Sequence, residues 1–243
     1  MQAVILAAGL GSRIRDIHAL PKGFIQLGNQ PIVQRSIEIL KQHGINDILI
    51  VTGYAAEHYV ALAENDPALS TCFNPHYAEY SSLFSLYCAK DWIKSDFLLL
   101  ESDIIYEPYA IERIMQDAHS NSILLSGQTD SGDEVYVQAH HKKLVRMSKQ
   151  LSQLAIDEID GEFVGVNKVS LRDFRQLVHQ LEQHPAQLQN GYYEEQGLVM
   201  MTAFTEVHCL KIPELLWCEI DNEFQLERAK KLFEKMSSIH ETV

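Results

Sequence analysis

Two patterns of apolar residues alternate along the first hundred positions. Gln2–Ala7 (QAVILA), residues 47–52 (DILIVT) and residues 97–100 (FLLL) are short, almost unbroken apolar runs, and they predict strands buried on both faces. Between the first two, Ile32, Val33, Ser36, Ile37 and Leu40 recur at helical spacing behind Pro31, which suits a first helical turn. Gly44 is placed to stop that helix. After Gly53, residues 56–64 read as a second helix and residues 71–74 as a weak strand, and Ser81 or Ser82 is placed to cap a helix running to Trp92. Four strand–helix alternations predict a mainly parallel sheet flanked by helices.

Past Ser122 the rhythm changes. Residues 126–132 are turn-rich, residues 134–139 alternate, and residues 144–147 offer a hairpin partner. Helical stripes return at residues 171–183 and 223–236, and residues 207–212 and 217–221 read as strands. No repeat, low-complexity tract or linker interrupts the chain. One α/β domain over residues 1–243, with a mixed-sheet second half, is therefore expected.

Composition bears mainly on partners. Hydrophobic residues make up 46% of the chain and charged residues 22%, values ordinary for a soluble globular protein, and no run reaches membrane-span length. A net charge of −13 repels nucleic acid and anionic membranes alike, which directs attention to small molecules. A nucleotide stays admissible, because a few amides, one or two cations and Mg²⁺ outweigh distant acids. Self-association into a homo-oligomer is left open. Cys72, Cys88, Cys209 and Cys218 lack C-x-x-C spacing, so reduced thiols are expected, and the amino terminus lacks a basic n-region. Both point to the cytoplasm. The eleven histidines are scattered without an H-E-x-x-H, which weighs against a histidine metal site, and no G-x-S-x-G suggests a serine hydrolase.

Open parallel sheets bind ligands beyond the carboxyl ends of their strands. The first strand ends in Ala8-Gly9-Leu10-Gly11-Ser12-Arg13, where Gly9 and Gly11 let backbone amides approach a phosphate. The same glycines also describe a plain tight turn, and neither the third glycine of a dinucleotide fingerprint nor a G-K-[ST] ending follows. Arg13, and Lys22 behind Pro21, add the cations that a triphosphate needs. Two further strand ends carry acids, Glu101-Ser102-Asp103 and Glu219-Ile220-Asp221, and an extended second segment puts Trp217, Glu219 and Asp221 on one face. One carboxylate from each of two strand ends is a common way to hold Mg²⁺, although in a chain with 33 acidic residues strand-end caps are the competing reading. Asp130-Ser131-Gly132-Asp133-Glu134 reads by composition as a solvated turn.

Together these residues resemble a known family. The run Leu6-Ala7-Ala8-Gly9-Leu10-Gly11-Ser12-Arg13, followed by Pro21-Lys22-Gly23, is similar to the signature loop of sugar-phosphate and phosphocholine nucleotidyltransferases. Residues 98–106 and 131–136 look most like 2-aminoethylphosphonate cytidylyltransferases. The resemblance implies a Rossmann-like α/β nucleotidyltransferase fold, with a mixed, mostly parallel sheet flanked by helices and a small acceptor-binding lobe. It also implies a nucleotide-binding half, residues 1–125, and an acceptor-binding half, residues 126–243.

By the same resemblance Leu6, Ala7, Ala8, Gly9, Gly11 and Ser12 would cradle base and phosphates, with Ser81 or Ser82 reaching cytosine. Arg13 would contact the leaving pyrophosphate, and Lys22 the reacting phosphates. Asp103 and Asp221, with Glu219 beside them, would hold Mg²⁺. Asp133 and Glu134 would meet the acceptor's amine, Lys149 its phosphonate, and Tyr193 and Trp217 would wall the acceptor. The implied reaction transfers CMP from CTP to 2-aminoethylphosphonate. The alternatives are phosphocholine or a sugar 1-phosphate as acceptor, a catalytically dead nucleotide-binding subunit, and, more distantly, a dinucleotide-binding oxidoreductase.

Overall fold

The computed structural model describes residues 1–14, 18–189 and 191–240. Its first half runs β1 (Gln2–Ala7), β2 (Gln26–Leu27), β3 (Gln30–Pro31), α1 (Ile32–Gln42), β4 (Ile48–Thr52), α2 (Ala56–Glu64), β5 (Leu69–Phe73), α3 (Ser82–Cys88), β6 (Phe97–Glu101), β7 (Ile104–Tyr106) and α4 (Tyr109–Gln116). The second half follows with β8 (Ser122–Ser126), β9 (Tyr136–His140), β10 (Lys143–Ser148), β11 (Ile159–Val169), α5 (Leu171–Gln183), α6 (Ala186–Gln189), α7 (Glu194–Met201), β12 (His208–Ile212), β13 (Trp217–Glu219) and α8 (Glu223–His240).

Nine of these strands form one sheet in the order β5-β4-β1-β6-β11-β8-β12-β10-β9. The four strands of the first half pair in parallel, with Val4 opposite both Leu49 and Leu99. β11 then runs antiparallel to both β6 and β8, while β12 lies parallel to β8. The sheet is thus mixed and flanked by helices, with only β11 and β10 running against the rest. The boundary placed at residue 125 falls inside β8, so strands of both halves share one sheet.

The pleat explains why the central runs show no polar alternation. Val4, Leu6, Leu49, Val51, Phe97 and Leu99 pack on one face, and Ala3, Ile5, Ile48, Ile50, Leu98 and Leu100 on the other. With helices on both faces, each such Val, Leu, Ile or Phe side chain contributes about 1.5–3 kcal/mol by leaving water. Truncating a fully buried Leu99 to Ala would cost about 2–5 kcal/mol. A third cluster, including Ile14, Ile105, Cys218, Ile220 and Ala229, packs α8 over the small β13–β7 pair. That pair sets Trp217 opposite Tyr106 and Glu219 opposite Ile104, which brings Asp221 close to the end of β6.

The helix after Ser81 stops at Cys88, short of the expected Trp92, because residues 89–92 fold into turns. Ser81 holds the capping position without a side-chain bond to the helix. The Ser82 hydroxyl instead bonds Glu194. Strand β11 has no counterpart in the expected elements, nor do β8, α4 and α7.

Candidate active site

A cleft of about 520 Å³ opens at the carboxyl ends of β1 and β6. Of the residues expected to contact nucleotide, acceptor or metal, all but Gly11 and Ser12 line it. Gly11 stands behind the loop with φ at +60°, and a side chain there would press on the Lys22 stem, with Cγ at 3.3 Å.

Lys22 is fixed by its neighbours. Pro21 precedes a single tight turn, Lys22–Phe24, and Phe24 lies edge-on to the buried Tyr59 at 5.0 Å between ring centres. Gly23 makes that approach possible, since a Cβ there would stand 2.7 Å from the Tyr59 hydroxyl and 3.2 Å from Val33. The Lys22 ammonium sits between two carboxylates, 2.7 Å from Asp103 Oδ2 and also bonded to Asp221 Oδ1. Burial by itself would lower the pKa of Lys22, but Asp103 and then Asp221 outweigh it, so the ammonium stays charged. Asp221 is almost wholly buried, and the Gln225 amide oxygen accepts its backbone N–H at 2.7 Å.

Arg13 closes the other side of Asp221. Its guanidinium bonds Asp221 Oδ2 and reaches Asp133 Oδ2 at 3.2 Å. Asp133 also accepts Lys149 Nζ at 2.8 Å, and burial, which would raise its pKa, is overcome by these two cations. The turn expected to offer its carboxylates to an amine is therefore already engaged by cations of the chain. Glu134 is engaged as well, accepting the Gly132 N–H at 2.9 Å.

Oxygen ligands are plentiful. Carboxylate oxygens of Glu101, Asp103 and Glu219 lie within 4.8 Å of one another, and so do those of Asp133, Glu219 and Asp221. Glu219 belongs to both groups. Burial, and then the charges of Asp103 and Asp221, hold its carboxyl well above the usual range, with Lys22 and Lys149 opposing. An all-oxygen set around one ammonium fits a hard divalent cation better than a thiophilic one. The aspartates expected to hold metal thus share a site, bridged by Lys22.

The expected set omits a second group of carboxylates. Glu194 and Glu195 open α7, are 4% and 8% exposed, and line the cleft. Ser82 donates its hydroxyl to Glu194 and accepts the Glu194 N–H at 3.1 Å. Glu195 Oε2 is buried without a hydrogen-bond partner, and burial together with the Glu194 charge pushes this carboxyl up to about 8. Glu101 joins them from the end of β6. Gly165 of β11, at φ +82°, leaves the room, because a Cβ there would lie 2.8 Å from the Glu101 carboxyl carbon. Burial, then Glu194 and Glu219, raise Glu101 well above the ordinary carboxylate value. Two buried donors on the same cleft also lack partners, Trp217 Nε1 and Arg228 Nη1. In the sequence Tyr192-Tyr193-Glu194-Glu195 looks like any surface acidic stretch, and only its packing against α3 changes that.

The MobA-like NTP transferase domain family matches residues 3–159. Choline-phosphate cytidylyltransferase of Streptococcus pneumoniae is 36% identical over 108 residues, 44% of this chain and 47% of that protein. The chain thus spans about half the length of this curated relative. 2-Aminoethylphosphonate cytidylyltransferase of Lancefieldella rimae is 31% identical over 153 residues, 60% of each chain. Among solved structures, the inositol-1-phosphate CTP transferase from T. maritima superposes with a TM-score of 0.81 at 18% identity, covering 97% of this chain and 95% of the other. That likeness establishes a shared α/β nucleotidyltransferase fold.

Proposed function

The chain belongs to the MobA-like NTP transferase domain family, and from that membership we propose that it is a cytoplasmic, Mg²⁺-dependent cytidylyltransferase that transfers CMP from CTP to 2-aminoethylphosphonate. The observation that carries the reading is the Lys22 ammonium held between Asp103 and Asp221 at the mouth of a glycine loop. A cation and two acids at one strand-end site suit a triphosphate with its metal, and a chain that only bound nucleotide would have no use for both. No helix of the described residues is long and apolar enough to cross a membrane.

The division of labour follows the cleft. The backbone of Ala8 and Gly9 faces the triphosphate, and Lys22 neutralises charge on the reacting phosphate group. Arg13, tethered to Asp221 and Asp133, stands at the pyrophosphate side. Asp103, Asp221 and Glu219 would hold Mg²⁺, which when bound supplies charge neutralisation on phosphate oxygens. Ser81 reaches towards the base, while Ser82 is committed to Glu194. Lys149, ordered by Asp133, takes the phosphonate. The phosphonate is ionised at neutral pH, so it needs no general base. Its oxygen bonds to the α-phosphorus while the bond to pyrophosphate breaks on the opposite side.

Asp133 is spent on Arg13 and Lys149, so the acceptor's ammonium falls to Glu194 and Glu195, with Tyr193 and Trp217 as the adjoining wall. A primary ammonium has three N–H donors and is best met by buried carboxylate oxygens without partners, such as Glu195 Oε2. Trp217 and Tyr193 favour phosphocholine as the second reading, since a trimethylammonium group has no N–H and prefers aromatic faces. A pyrophosphate-release screen crossing four nucleoside triphosphates with aminoethylphosphonate, phosphoethanolamine, phosphocholine and sugar 1-phosphates tests the reading. Release with CTP and an amine-bearing acceptor supports it. Release only with a sugar 1-phosphate, or with no acceptor at all, would overturn it.

A further inference from the structure

Two histidines far apart in the sequence meet at the opposite end of the sheet from the cleft. Asp117 caps the carboxyl end of α4, His119 follows it in the turn into β8, and His208 begins β12. The parallel β8–β12 pairing sets His208 opposite Ser122, and the backbone N–H of His208 bonds the Asn121 carbonyl at 2.9 Å. Residues 89 positions apart are thereby brought over one carboxylate.

The contacts are short and converge. Asp117 Oδ1 lies 2.6 Å from His119 Nδ1 and also accepts the His119 backbone N–H at 2.8 Å. Asp117 Oδ2 lies 2.7 Å from His208 Nδ1. The two imidazoles stack at 3.8 Å between centres with 23° between their planes, so their Nδ1 atoms point to the same place. The Asp117 side chain is 2% exposed and that of His208 17%, while His119 at 52% leaves one side open to solvent. The sequence, with no local histidine spacing, gives no hint of this group.

We propose that Asp117, His119 and His208 form a binding site for a borderline transition cation such as Zn²⁺, separate from the catalytic cleft. The donor set of two imidazole nitrogens and one carboxylate oxygen suits Zn²⁺, Co²⁺ or Ni²⁺, and is a poor match for Mg²⁺, which the all-oxygen cleft accommodates. Ligand atoms at about 2.0–2.2 Å from a tetrahedral Zn²⁺ stand roughly 3.3 Å apart. The three ligand atoms already lie within 4.8 Å of one another, so small side-chain movements suffice. On binding, each neutral imidazole presents its Nδ1 lone pair, and the proton that faced Asp117 passes through solvent to Nε2. Water from the open His119 side completes the shell.

The test is a calorimetric titration of the full chain with Zn²⁺ in excess Mg²⁺, which keeps the cleft carboxylates occupied, followed by Co²⁺ with its visible absorption as a ligand-field readout. We expect one equivalent of tightly bound Zn²⁺ and a four-coordinate Co²⁺ spectrum, both retained in Asp221→Asn. His119→Ala, which removes a half-exposed side chain and leaves the fold alone, should weaken binding by at least about 100-fold, and His208→Ala should do the same. No binding in wild type, or binding unchanged in His119→Ala and His208→Ala, would overturn the site.

Discussion

At one part of the cleft Lys22 lies between Asp103 and Asp221, and Arg13 reaches Asp221 and Asp133, so each of these carboxylates meets a cation of the chain itself. On the neighbouring wall Glu101, Glu194 and Glu195 crowd together, bonded to no cation among the described residues, with Glu194 hydrogen-bonded to Glu101 and to the Ser82 hydroxyl. The first arrangement is balanced, and a ligand that enters it must exchange with what is there: anionic phosphates replace carboxylates around Lys22, and a divalent cation replaces the ammonium among the acids. The second is unbalanced in the ground state, and burying acids without partners is costly. A ligand that brings positive charge relieves that cost. On the proposed reading the acceptor has an anionic end for Lys149 and a cationic end for the glutamates, and a sugar phosphate has no cation to offer them.

The largest expected effect lies on the balanced side. Asp221→Asn keeps the shape of the side chain and removes its charge, so loss of several kcal/mol of charge stabilisation should lower kcat/KM by about a thousandfold. Circular dichroism should show an intact fold, and a near-normal rate would remove Asp221 from the metal site. Lys22→Ala should follow, with a loss of about 3 kcal/mol, roughly a hundredfold, falling mainly on kcat because the contact strengthens in the transition state. A change confined to KM for CTP would instead make Lys22 a simple binding residue.

The unbalanced side gives smaller, more selective effects. Glu195→Gln should reduce kcat/KM for aminoethylphosphonate by about 10–100-fold, the worth of one charge-assisted hydrogen bond, and leave ethylphosphonate nearly unchanged. Equal losses for both acceptors would show that Glu195 shapes the cleft without reading the ammonium.

The same residue gives a stability signature. Its folded-state pKa, raised to about 8 by burial and then by Glu194, exceeds that of the unfolded chain, so the folded protein binds the proton more tightly. The stability this contributes is complete below about pH 4 and is lost as pH rises towards 8. Melting scans of wild type and Glu195→Gln should therefore agree most closely near pH 4, with the variant gaining relative to wild type as pH rises. A chain of this size shifts by about 2–4 °C per kcal/mol. Parallel pH profiles for the two proteins would count against the buried acid.

Much of the balanced side was legible in the sequence. Unbroken apolar runs marked β1, β4 and β6, helical stripes marked α1, α2, α5 and α8, and the rule that ligands sit at strand ends led to Lys22, Asp103 and Asp221. The unbalanced side was not. β11, the strand that carries Gly165 against Glu101, reads IDGEFVGVNKV, and its two glycines and scattered polar residues mask a mostly buried strand at the centre of the sheet. Glu194 and Glu195 follow two tyrosines and look solvated until α7 packs on α3. Asp133 entered as a site residue through the family resemblance, but not as the partner of Arg13 and Lys149: the first pairing spans 120 residues, and the second joins a turn to the end of β10, so neither leaves a local pattern.

The most direct measurement of the central claim is kcat/KM with CTP and Mg²⁺ for aminoethylphosphonate, phosphoethanolamine and phosphocholine, compared in wild type and Glu195→Gln. Aminoethylphosphonate is expected to be the best acceptor in wild type, and the variant is expected to lose most of that preference over phosphocholine. A wild-type preference for phosphocholine, unchanged in the variant, would contradict it.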